Sequence, residues 1–213
     1  MPSWTVAGTA CGTVAAILSI LEAIPQIYLN MRRRSTTGFS HVSVYIRFFG
    51  LSFLLASAIL TEMAISITIF ALCNLISLMI FLHQFALYGE KGGKWIYALW
   101  LFPFAVFALG LFYPRSMVVT QWINSATQAL GFFPYMYALF GPNGTMGIAM
   151  MYHHVNFVAS LFGLLACSLL NVERVVEWLV HAAPLFFSVS VFMVALLKDQ
   201  MRYLDAPRPN EHV

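Results

Sequence analysis

Seven runs of about 20 mostly apolar residues, each long enough to cross a hydrocarbon core, dominate this chain. They cover residues 4–31, 42–60, 63–88, 95–112, 117–140, 148–170 and 175–197. The pattern predicts an all-α membrane protein with seven transmembrane helices. Of the 213 residues, 61% are hydrophobic and 9% charged, and the mean hydropathy is +0.81. A soluble domain is nearer half apolar and a quarter charged, so a soluble enzyme, a disordered chain and a nucleic-acid binder are excluded. The first run has no basic start and no small-residue cleavage site, and it is expected to remain as a mature helix.

The few cations sit between the runs and set an orientation. With the N-terminus outside, the inner side carries Arg32, Arg33, Arg34, Lys91, Lys94, Lys198, Arg202 and Arg208, against Arg115 and Arg174 on the outer side. That bias predicts the N-terminus outside or lumenal and the C-terminus cytoplasmic. The net charge of +3 then reflects topology and not a docking patch. Residues 199–213 form an expected polar, disordered tail on the inner side, and the sequon Asn143-Gly144-Thr145 falls on that side too, where it stays unglycosylated. Cys11, Cys73 and Cys167 lie inside apolar runs as small hydrophobes.

Sliding the chain against itself by 109 residues places Pro25 on Pro134, Tyr28 on Tyr137, Thr36 on Thr145 and Gly38 on Gly147. Phe53, Leu55 and Leu60 fall on Phe162, Leu164 and Leu169. The coincidences predict two parallel triple-helix units joined by one connecting helix, a 3+1+3 arrangement. The expected boundaries are 1–90 for the first bundle, 91–116 for the linker helix, 117–198 for the second bundle and 199–213 for the tail.

Polar residues inside the runs are the candidate site. Pro25 removes a backbone donor and should kink the first helix near its inner end. Glu22, one turn earlier, is the acid deepest in a span, and it is the proton-coupling candidate because an intramembrane charge is costly and faces the bundle interior. Arg47 is expected to snorkel inward to lipid headgroups. Asn74, Asn124, Gln128 and Asn156 are individually ordinary helix-to-helix glue, but together they fall in helices that would line a cavity. Trp122 lies deeper than the interfacial Trp4, Trp95 and Trp178 and could stack on a solute. His83 and the adjacent His153 and His154 are expected at the interface, since neighbouring positions on a helix diverge and chelate poorly. No nucleophile with a base, phosphate cradle or metal-ligand cluster appears in a loop able to host it, so neither an enzyme nor a cofactor or metal is expected. The expected partners are a small-molecule solute and the lipid bilayer, with no nucleic acid and with homo-oligomerisation left open.

The string Pro25-Gln26, Asn30, Arg32-Arg33-Arg34 and Ser35-Thr36-Thr37-Gly38-Phe39-Ser40 resembles the PQ-loop motif of the SWEET sugar transporters and the lysosomal cystine transporter family. The second copy departs from it, with Tyr135 for the Gln, Gly141-Pro142-Asn143 for the basic cluster and Ala149 for the closing Ser. The resemblance implies a carrier whose two bundles alternate access. Pro25 and Pro134 would be hinges, Gln26 would secure the kink, and Asn74, Asn124, Asn156 and Trp122 would contact substrate. Asn74 stands about where SWEET proteins carry a pocket asparagine, but its counterpart is Ala183, and no acid matches the fifth-helix aspartate of the cystine transporters. A sugar facilitator is the first expectation. The alternatives are a proton-coupled amino-acid transporter using Glu22, or a receptor or structural subunit that does not transport.

Overall fold

A computed structural model describes residues 3–89, 93–140 and 149–205, with side chains from 4 to 198 within those ranges. Lys91, Arg208, the sequon at Asn143 to Thr145 and most of the second motif's loop, including Gly147, lie outside the described residues. The described chain is all helical. The order is α1 (Ser3–Leu21), α2 (Ile24–Arg33), α3 (His41–Leu60), α4 (Ile65–Tyr88), a 3-10 turn (Lys94–Leu101) leading into α5 (Phe102–Phe112), α6 (Pro114–Phe140), α7 (Met150–Leu169) and α8 (Val175–Asp205).

Local sequence explains the breaks. Pro25 has no N–H for the carbonyl one turn back, and α1 stops at Leu21. The chain restarts so that Pro25 lies in the first turn of α2, where a missing donor costs least. Arg34 then takes a left-handed conformation at φ 48°, and its N–H bonds the carbonyls of Asn30 and Met31 to end α2. Gly38, at φ 86°, makes the turn that follows. The side chain of Ser40 accepts from the N–H of Ser43 at 3.3 Å, capping α3. Ala149, 109 residues on, holds nearly the same extended backbone before α7 without a side-chain cap.

Among the described residues six helical stretches are long and apolar enough to cross a membrane, which by length and composition makes this a multi-pass membrane protein. The expected fifth span is the exception. It is the 27-residue α6, which starts three residues earlier than expected and is made more polar by Thr120, Gln121, Asn124, Ser125, Thr127 and Gln128. The tail expected from residue 199 is helical through Asp205, because nothing before Pro207 stops α8. Large apolar side chains such as Ile65, Phe104, Phe112 and Phe133 are exposed around the bundle, as lipid contact requires.

Helices α1 and α3 both pack on α4, and α6 and α7 both pack on α8. The most extensive contacts pair α3 with α6 and α1 with α7, while α5 rests on α3. Small residues let these two seams close, as expected where lipid removes the hydrophobic drive between helices. On α3, Ser57 donates to the Met117 carbonyl at 3.2 Å, and Gly50 lies against Thr127 and Asn124. Gly8 and Gly12 of α1 face Leu170 and Ala166 at the other seam. A Cβ on Gly50 would run into Thr127, whose hydroxyl is held on the Asn124 carbonyl at 2.9 Å. We therefore expect Gly50→Ala to lower stability by about 1–3 kcal/mol, measured by thermal unfolding in detergent. An unchanged melting temperature would show that the seam can part.

Candidate functional site

The α1–α2 break exposes a run of buried amides at the end of the bundle that carries Arg32 to Arg34. Gln26 is fully buried, and its Nε2 donates to Asn30 Oδ1 at 2.8 Å. Asn30 Nδ2 donates to Gln84 Oε1 at 2.8 Å, and Gln84 Nε2 donates to the Ile27 carbonyl at 3.0 Å. The chain also crosses the seam, because the N–H of Ala149, just before α7, donates to Gln26 Oε1 at 2.8 Å. Gln26 thus ties the broken first helix to both α4 and α7. Buried amides are expensive unless satisfied, so this ladder sets the position of α2 closely.

Tyr135, at the position that matches Gln26, behaves differently. Its hydroxyl shares a 2.6 Å hydrogen bond with His153 Nε2, from α6 to α7. Pro134 lies inside an unbroken α6, not at a break like the one before Pro25. The two expected hinges are therefore unequal in this conformation.

Between the seams lies a second group of polar residues. Arg47 does not snorkel to headgroups as expected. Its Nη1 donates to the Tyr152 hydroxyl at 3.1 Å, its guanidinium carbon is 5.9 Å from the centroid of the Phe187 ring, and its Nε is buried with no hydrogen-bond partner among the described residues. The reason is geometric: Gly131 of α6 leaves room for the arginine stem, and a Cβ there would sit 3.2 Å from Arg47 Cγ. The aromatic hydroxyl and ring give the guanidinium an alternative to lipid phosphate. Glu22, 2% exposed, feels the charge of Arg47, and its Oε2 has no hydrogen-bond partner. The two do not pair closely; among the described residues the ion pair within 4.0 Å is Arg174 with Glu177.

The remaining expected site residues divide. Asn124 is 1% exposed, and both of its amide atoms lack a hydrogen-bond partner among the described residues. Asn156 donates to Ser188 Oγ at 3.1 Å, between α7 and α8. Asn74 is buried but spends its donor on the Phe70 carbonyl of its own helix at 3.1 Å. Trp122 is 46% exposed in the outward stripe of α6 with Val118, Val119 and Phe133, away from these groups. His153 is not interfacial: its ring is fully buried, with Nδ1 unpartnered, whereas His154 is exposed and bonds the Met150 carbonyl. His153 turns inward because Tyr135 and Tyr152 pack against it.

Among the described residues, polar groups with a buried, unsatisfied atom thus lie at the α1–α2 break (Glu22), on α3 (Arg47), on α6 (Asn124 and Ser125) and on α7 (His153), with Trp100 Nε1 on the 3-10 turn. Native interiors rarely leave such atoms unpaired, and where they do, a ligand, ion or water is the usual partner. Arg47, Tyr152, His153 and Gln84 were not singled out from sequence as site residues. Arg47 carried the clearest signal, an arginine six residues into an apolar helix.

Residues 7–67, from α1 to the start of α4, match the family model described as PQ loop repeat. No curated protein matches the chain.

Proposed function

We propose, from a PQ-loop repeat at residues 7–67 in a multi-pass membrane bundle, a carrier that moves a small zwitterionic solute by alternating access. PQ-loop proteins are generally transporters or receptors and not enzymes. The observation that carries the reading is the group of polar side chains with buried, unsatisfied atoms along the two seams, Glu22, Arg47, Asn124, Ser125 and His153. The Glu22 carboxyl and the Arg47 guanidinium interact electrostatically and offer polar and charged partners for the two ends of a zwitterion. This supports an amino-acid-like solute over a sugar, whose expected grip is weakened by the self-bonded Asn74 and the outward Trp122.

The packing supports a 3+1+3 arrangement. Helices α1, α3 and α4 form one unit with α4 between its partners, α6, α7 and α8 form the other with α8 between, and α5 connects them. The two seams, α1 with α7 and α3 with α6, correspond under the 109-residue repeat. In the observed conformation Gln26 holds one end of the α1–α7 seam on Ala149, and Gly8 with Leu170 closes the other. Access from the arginine-bearing end requires the Gln26–Ala149 bond to open, while the other end opens by separating small-residue contacts. The charge bias supports a cytoplasmic position for the arginine-bearing end.

Uptake into proteoliposomes tests this, using labelled glucose, sucrose and an amino-acid panel with and without a pH gradient. Amino-acid flux that survives Asn74→Ala is the expected result. Sugar flux lost in Asn74→Ala would reinstate the sugar facilitator. Absence of flux from folded protein would favour a receptor or structural subunit, the reading that the unbroken α6 and the inward bond of Tyr135 support.

A further inference from the structure

The end of the bundle where α1 begins holds a separate polar pocket. A cavity of about 20 Å³ lies between α1, α4, α7 and α8, bounded by Gly12, Ser66, Gly163, Cys167, Glu177 and His181. It is too small for an organic solute and large enough for one water, which needs about 10–15 Å³. Glycines create it: a Cβ on Gly163 would collide with the His181 ring, and Gly12 forms the opposite wall.

Two titratable groups face this space from one side of α8. Glu177 and His181 are one helical turn apart, and they are 5% and 7% exposed. The imidazole makes an edge contact with Phe70 at 5.7 Å. The charged and titratable neighbours are few. The α7 side presents the Cys167 thiol, directed at the Glu177 carbonyl at 4.0 Å, and the α7–α8 turn presents Arg174, 3.9 Å from the carboxylate. The α1 lining is Gly12, Ala15 and Ala16, and α4 adds the Ser66 hydroxyl between apolar residues. No three His, Cys, Asp or Glu side chains among the described residues are placed to hold a metal. The matching positions 109 residues earlier, Thr68 and Leu72, cannot titrate in this range, so the pocket belongs to the second half alone.

We propose that Glu177 and His181, bridged by one water in this cavity, form a proton-binding site distinct from the central cluster. A hydronium ion gives its proton to the pair and leaves a water behind. The neutral imidazole beside a carboxylate then becomes an imidazolium–carboxylate pair, which draws the first two turns of α8 together against α1 and α7. Proton binding stands without the carrier reading; its coupling to solute movement rests on that reading.

The test is pH-difference infrared spectroscopy of lipid-reconstituted protein, with thermal unfolding as the folding control. Wild type is expected to show imidazole and carboxylate bands that titrate together, lost in Glu177→Gln and His181→Gln and retained in Glu22→Gln. Identical bands in all variants, or bands lost only in Glu22→Gln, would overturn the proposal. So would stabilisation by added Zn²⁺ that disappears in His181→Gln, since the pocket would then be a metal site. Intact bands in protein that carries no solute would overturn the carrier and leave the proton site standing; flux without the bands would do the reverse.

Discussion

Replacing Gln26 with alanine is expected to produce the largest loss of stability of any single change in the PQ motif. The substitution leaves two groups without their partners, the buried Asn30 Oδ1 and the partly buried Ala149 N–H. A fully buried orphan costs about 1–3 kcal/mol and a partly buried one less, so the combined loss should be about 2–4 kcal/mol. It should appear in thermal or denaturant unfolding of the detergent-solubilised protein. On the carrier reading proposed above, uptake should also fall in Gln26→Ala, since the bond to Ala149 is a hydrogen bond from α2 to the start of α7 at this end. If Gln26→Ala melts like wild type, the amide ladder does not hold α2, and the proposed latch is wrong.

Arg47→Met should abolish uptake and destabilise the bundle together. Methionine preserves much of the stem volume over Gly131 but removes the donor to Tyr152 and the positive charge that Glu22 feels. Removing one member of a buried charge pair costs about 3–5 kcal/mol, and because these two groups are not in direct contact the lower end applies. The double variant Glu22→Gln with Arg47→Met should recover much of that stability, because no lone charge remains inside. It should not recover uptake, because both groups of the proposed solute site are gone. Comparison of the four proteins gives the coupling between Glu22 and Arg47 directly. Independent, additive losses would separate the two residues and remove the zwitterion argument. Full uptake by Arg47→Met would remove Arg47 from the site.

The parts legible in the sequence were those that depend on local chain properties. Hydrophobic runs located the helices to within a few residues, and Pro25 marked the α1–α2 break because a missing donor acts on its own turn. The Ser35 to Ser40 string was visible as a motif, and its Gly38 and Ser40 do local work as a turn and a cap. Polar α6 shows the limit of hydropathy: its Asn124 and Thr127 face α3, so a helix with partners on one side can be less apolar than its neighbours.

The fate of each polar side chain was not local. Arg47 could snorkel or turn inward from the same backbone, and the choice depended on Gly131, Tyr152 and Phe187, which lie 84 to 140 residues away. Trp122 and Asn124 are two positions apart on one helix, yet one faces lipid and the other is buried. His153 and His154 divide in the same way. By itself the sequence determined the membrane class, the helix limits and the family motif, because hydropathy, proline geometry and capping act within a few residues of the chain. Only the tertiary structure decided that Glu22, Asn124 and His153 are buried, that they and the half-buried Arg47 carry unsatisfied atoms at the seams, and that Gln26 bonds the N–H just before α7. Those outcomes depend on which face of each helix meets its neighbour and on the room its small residues leave, and neither is carried by one helix alone.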